Sequence, residues 1–164
     1  MKAIILKFFI VISSALLLGA CDRSNDKLLQ LHAQIDSLKD QLKKSYVPGT
    51  GELMTNIQIH HAKLWFAGSN SNWLLAEYQE SLIRSGFRKV QQYHGQKPEA
   101  KLVAMIEPAM DSVEKAIREK NAGSFKRQFE FMTSSCNNCH QVTDHPYNVI
   151  LIPTNVPMDN QRYK

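Results

Sequence analysis

Cys136-Asn137-Asn138-Cys139-His140 is the stretch of this sequence best equipped for chemistry. Three residues are nearly one helical turn, so both thiols lie on one side of a helix and the adjacent imidazole is directed close beside them. A C-x-x-C-H run is the attachment motif of c-type haem, in which the thiols bond to the porphyrin vinyl groups and the imidazole binds iron. Other uses of the same atoms compete. A thioredoxin-like C-x-x-C needs a strand before it and a helix after it, whereas helical spacing precedes this one. A Cys136–Cys139 disulfide closes poorly across three helical residues. Zinc needs further ligands, from His145 and another histidine. The expectation is one covalent haem c, held by Cys136 and Cys139, with His140 as the proximal iron ligand.

The start of the chain supplies an independent signal. Lys2 and Lys7 precede the apolar run Phe8 to Ile12, small residues follow, and no acidic residue occurs before Asp22. A positive start and a short apolar stretch read as a secretory signal, which is shorter than a membrane span. Leu18-Gly19-Ala20-Cys21 resembles a bacterial lipobox, which implies cleavage before Cys21 and lipid on that cysteine. Export is also what covalent haem attachment requires. The implied location is the periplasmic side of a bacterial membrane, lipid-anchored, and Asp22 favours the inner membrane by resemblance to the sorting rule of enteric bacteria.

The chain has 164 residues, 43% hydrophobic, 21% charged and 9% aromatic, with 7 Gly and 6 Pro. That is one domain's length, too apolar for a disordered chain. Three cysteines exclude a disulfide-dense scaffold and a four-cysteine zinc site within one chain. Removal of residues 1–20 would take away two lysines and no acid, lowering the net charge from +5 to +3 over 144 residues. With no dense basic run, nucleic acid is not an expected partner.

The elements that must position the motif are helical. Leu28, Leu31, Ile35, Leu38 and Leu42 form a heptad stripe, suited to a short coiled coil or to packing on the same chain. Pro48-Gly49-Thr50-Gly51 follows as a joint. Four helical patterns come next. The first, from about Glu52 to Ala67, turns Leu53, Met54, Ile57, His61, Leu64 and Trp65 to one face. The second begins near Trp73 with Asn72 as N-cap and ends at Gly95; Leu75, Tyr78, Leu82, Gly86, Val90 and Tyr93 share a side. The third opens after Pro98 and turns Leu102, Met105, Ile106, Ala109, Met110, Val113 and Ile117 inward, with Pro108 kinking it or starting it afresh. Asn121-Ala122-Gly123 closes the third, and Ser124 caps a fourth that carries Phe125, Phe129, Met132 and the motif. Trp65, Phe125, Phe129 and Phe131 read as core around a flat apolar cofactor. From Thr143, Pro146, Pro153 and Pro157 forbid a regular helix, so Val149 to Ile152 should lie as an extended strap or an edge strand. The expected fold is all-α: an up-down-up-down four-helix bundle over 52–142, preceded by a helical tether over 21–51 and followed by a tail over 143–164.

C-x-x-C-H on the last of four helices resembles the class II cytochromes c, the cytochrome c-prime group. The resemblance covers about Glu52 to Val142. It implies a mono-haem carrier of single electrons, with redox proteins of the periplasm or membrane as partners and dimerisation through helices as one arrangement. It also implies that the sixth iron position is filled from the first helix, by methionine in low-spin members and by a non-ligating side chain in cytochrome c-prime proper. By position this selects Met54 or His61, seven residues or about 10 Å apart along the axis, so only one can be level with the iron. His60 points about 100° away from His61 toward solvent, and Met158 in the tail is a further candidate. A vacant position would instead make a binding or sensing module for a small gas such as nitric oxide or carbon monoxide. A third use is a redox-active thiol pair without haem. No Ser-His-Asp set, paired-carboxylate cleft or glycine-rich phosphate loop is present, so an enzyme is not expected.

Overall fold

The computed structural model describes residues 25–42, 44 and 46–164. The segment expected as a signal, 1–20, with Cys21 and Asp22, lies outside the described residues. The chain divides into two compact units, one ending at Val47 and one from Pro48 to Lys164. In the first, helix α1 covers residues 25–42 and exposes its whole stripe, Leu28, Leu31, Ile35, Leu38 and Leu42. Among the described residues no helix is long and apolar enough to cross a membrane.

The second unit is all-helical: α2 (Thr50–Ser69), α3 (Trp73–His94), α4 (Pro98–Leu102), a 3-10 turn (Val103–Ile106), α5 (Glu107–Arg118) and α6 (Ala122–Val142). Thr50 and Gly51, expected in the joint, already belong to α2, whose N-cap is Gly49. The expected third helix is three pieces, because Pro108 cannot donate in a helix interior and instead occupies the first turn of α5.

The corners follow one device. Ser71, Lys120 and Asp144 have φ of 60°, 51° and 62°. Each lies two positions beyond a helix end, and the next amide returns to a carbonyl of the last turn: Asn72 to Ala67 at 2.9 Å, Asn121 to Ala116 at 3.1 Å, His145 to His140 at 2.8 Å. These are Schellman closures made without glycine. Asn72 and Asn121 then cap the following helices, their side chains accepting from Leu75 N at 3.2 Å and Ser124 N at 2.9 Å. Asn121, rather than the expected Ser124, therefore starts α6, since only its side chain reaches an orphan first-turn amide.

α2 packs against α3 and α6, and α5 packs against the same two helices. Gly86 permits the α2–α3 approach, because a Cβ there would stand 2.5 Å from Ile57 Cγ1. The buried face of α3 is turned from the expected one. Ala76, Gln79, Glu80, Ile83, Phe87 and Val90 are buried, while Tyr78 and Tyr93 are exposed. Two polar residues belong to the inner face because each has a partner. His60 Nδ1 donates to Gln79 Oε1 at 2.8 Å, so His60 is half-buried and bonded rather than facing water. Glu80 pairs with Arg84, which also bridges to Glu107 and Asp111 of α5 at 2.9 Å each. Met105 and Phe131, expected inside, are 41% and 49% exposed; the helices that carry them turn Val103, Ile106, Phe129 and Met132 inward instead.

The C-terminal tail belongs to this second unit and contains no strand. It is extended: Ile150 and Ile152 turn inward, while Val149 and Leu151 face out. Further on, Tyr163 is buried against Phe66, ring centroids 5.8 Å apart.

Candidate functional site

α6 carries Cys136, Cys139 and His140 onto the wall of one cavity of about 280 Å³, partly open to solvent and near the lower limit of small-molecule sites. Met54 and His61 of α2 line the same space. Ile57, Ile83, Phe87, Ile106 and Met132 make its walls apolar, and Glu99 is the acidic group among them. Helical spacing explains the gathering from α6: Met132, Cys136, Cys139 and His140 follow at intervals of four, three and one.

The two cysteines are half-buried free thiols. Burial, then the neighbouring Cys139, pushes the Cys136 thiol up to about 12. Burial and then Glu99 raise Cys139 as well. Both therefore remain S–H at neutral pH. A redox-active thiol pair needs the opposite, a thiol whose pKa is lowered so that the thiolate is populated.

The two histidines are in opposite tautomers. His140 Nδ1 donates to the Asn148 carbonyl at 2.6 Å, which leaves Nε2 as a bare lone pair, the form that binds a metal. His61 is 4% exposed, and its Nε2 lies 2.8 Å from Thr133 Oγ1. That hydroxyl donates to the Phe129 carbonyl at 2.9 Å, so its oxygen accepts and the proton sits on His61 Nε2. Burial lowers the His61 pKa to about 4, so the ring is neutral. It packs against Phe129, with centroids 4.4 Å apart. Four residues further along α2, Trp65 meets Phe129 at 5.0 Å and Phe125 at 6.4 Å.

Cys136, Cys139, His140, Met54 and His61 thus line one cavity, whereas Trp65, Phe125, Phe129 and Phe131, expected as core around a flat cofactor, do not line it. Met158 is exposed and does not line the cavity. Cys21 lies outside the described residues. Several participants carried no advance signal: Glu99, Thr133 and Asn148; Asn148 and Ile150, the latter in the apolar run expected as a strap, close one side of the cavity. Thr133 stands one turn before Asn137 on α6 and reads as an ordinary helix position until His61 is placed against it. Asn137 was visible only as a variable position of the motif.

A haem suits this donor set. Two free thiols one turn apart, an adjacent imidazole and apolar walls are what covalent attachment and proximal ligation use. Among the described residues no group of three or more His, Cys, Asp or Glu could hold a bare metal ion. A haem iron takes four nitrogens from its porphyrin and needs only one or two protein atoms. No family model, curated protein or solved structure matches the chain.

Proposed function

We propose that the chain is a mono-haem c-type cytochrome that carries single electrons on the periplasmic side of a bacterial membrane, tethered by lipid at Cys21. The observation that carries this reading is the convergence of two free thiols and the His140 imidazole on one apolar cavity. When bound, haem supplies a one-electron ferric/ferrous couple, and the protein supplies attachment, axial ligation and burial. Cys136 and Cys139 would hold it by thioethers and His140 would ligate the iron.

The class II resemblance is supported by the order of contacts. Along α2, His61 is followed by Trp65; their partners on α6 descend from Thr133 to Phe129 and Phe125. Opposed numbering of this kind fits antiparallel helices, and α2, α3, the 98–118 stretch and α6 fit an up-down-up-down four-helix bundle. Within that reading Met54 would supply the sixth ligand. It lines the cavity, whereas His61 donates its Nε2 proton to Thr133 and has its ring packed on Phe129. Methionine raises the potential relative to histidine, which suits an electron acceptor.

The absorption spectrum of the reduced protein, with and without carbon monoxide, tests the proposal. A low-spin haem spectrum indifferent to carbon monoxide is expected. Met54→Ala should lose that spectrum and respond to the gas, while His61→Ala should keep it. An immediate response in the unaltered protein would favour the gas-binding module, and absence of a Soret band would sink the cytochrome.

A further inference from the structure

The strap is attached to the C-x-x-C-H run itself. Asn137 Nδ2 donates to the Ile150 carbonyl at 2.9 Å, and the Ile150 amide donates back to Asn137 Oδ1 at 2.7 Å. One side-chain amide thus makes the reciprocal pair that a neighbouring strand would otherwise make with Ile150. The second attachment is the His140 Nδ1 bond to the Asn148 carbonyl. The spacings agree. Residues 137 and 140 are separated by about 4.5 Å of helix rise, and residues 148 and 150 by roughly 6.6 Å of extended chain. The strap therefore runs against the direction of α6, with 148 beside 140 and 150 beside 137.

On its N-terminal side the Asn148 carbonyl is held by a turn, the Asn148 amide donating to the His145 carbonyl at 3.0 Å and the His145 amide to the His140 carbonyl at 2.8 Å; on its C-terminal side the directional attachment is Asn137. The strap has no sheet ladder, and Pro146 and Pro153 flank the attached segment. Val149 and Leu151 face outward, so Ile150 is the apolar anchor between them. An apolar contact is non-directional and tolerates a sliding chain. The paired Asn137 bonds do not, because both are satisfied only at one residue.

We infer that Asn137 is a positioning residue: by fastening Ile150 it holds the Asn148 carbonyl on His140 Nδ1, and so sets the donor strength of the proximal ligand and the potential of the iron. This rests on the cytochrome reading above. A ring N–H donated to a carbonyl makes the imidazole more basic, which favours the ferric state and lowers the potential. Loosening the strap should therefore raise it.

The experiment uses the full, haem-loaded protein as unaltered chain, Asn137→Ala and Asn137→Gln. Asn137→Ala should speed hydrogen exchange at the Ile150 amide by about tenfold. It should also shift the ferric-to-ferrous balance toward ferrous by up to about tenfold, which is about 59 mV for one electron. Asn137→Gln, keeping both hydrogen-bonding groups on a longer arm, should recover part of both changes. Unchanged exchange at Ile150 would overturn the attachment, and faster exchange with an unmoved potential would overturn the tuning. A Soret band in the unaltered protein tests the cytochrome reading separately, and its absence would overturn the tuning role together with that reading. Should Asn137→Ala not fold, the Asn137→Gln exchange and potential relative to the unaltered chain decide alone.

Discussion

The two ends of the helical core use the same helices for opposite purposes. Around Phe125 the space is filled. Phe125 and Phe129 are fully buried, Trp65 and Trp73 pack against Phe125, and Gly68 lets its ring approach so closely that a Cβ would stand 2.2 Å from Cζ. Around Cys136 the space is open, and its walls are lined by Cys136, Cys139, His140 and Met54. His61 and Phe129 stand between the two. Aromatic side chains fill the space completely at one end. The other end leaves a cavity of about 280 Å³, the space that the proposed haem would occupy.

The largest effect that would break the comparison is chemical. Replacing both Cys136 and Cys139 by alanine should abolish covalent haem altogether while leaving helix content intact. A haem stain after denaturing electrophoresis, beside far-ultraviolet circular dichroism, reads both. Haem that survives the double replacement would mean that the open end is not where it is held. The reciprocal change is Phe125→Ala, which should cost about 3–5 kcal/mol in denaturant unfolding. The low-spin spectrum of the folded variant should not change, and a spectral change would show that the two ends are not separable.

A smaller effect tests the boundary. Folded His61 takes a proton only near pH 4, whereas its ordinary value is 6.5. Between those values the unfolded chain binds more protons, so stability falls as pH falls. The contribution is whole above about pH 6.5 and gone by about pH 4, and it is of order 3 kcal/mol. His61→Gln keeps a donor for Thr133 without a titrating ring. Denaturant midpoints of the two proteins from pH 7 to pH 4 should diverge, the variant losing less on acidification. Parallel curves would mean that His61 is solvated or differently bonded.

The motif on the last helix was legible because five consecutive residues carry their own spacing. The all-helical character followed from periodicity and from Asn72, which caps where its position before an apolar repeat implies. The inner face of α3 was not legible. Gln79 and Glu80 look like solvent residues until His60 and Arg84, on α2 and on α3 itself, are placed beside them. Tyr78 and Tyr93 misdirected the reading for the complementary reason, since amphipathic rings are stable at a half-exposed surface. Pro108 carried its meaning locally, but whether it kinked a helix or started one depended on what packed around Val103–Ile106.

By itself the sequence determined the donor atoms and their intervals: thiols at 136 and 139, an imidazole at 140, and a methionine and a histidine seven residues apart on an earlier helix. Those follow from covalent order and helical geometry, which are local. Only the tertiary structure decided which nitrogen of each histidine carries the proton. His140 owes its bare Nε2 to a carbonyl eight residues ahead, and His61 owes its protonated Nε2 to a hydroxyl 72 residues away. A tautomer is set by its hydrogen-bond partner, and those partners meet only when the chain is folded.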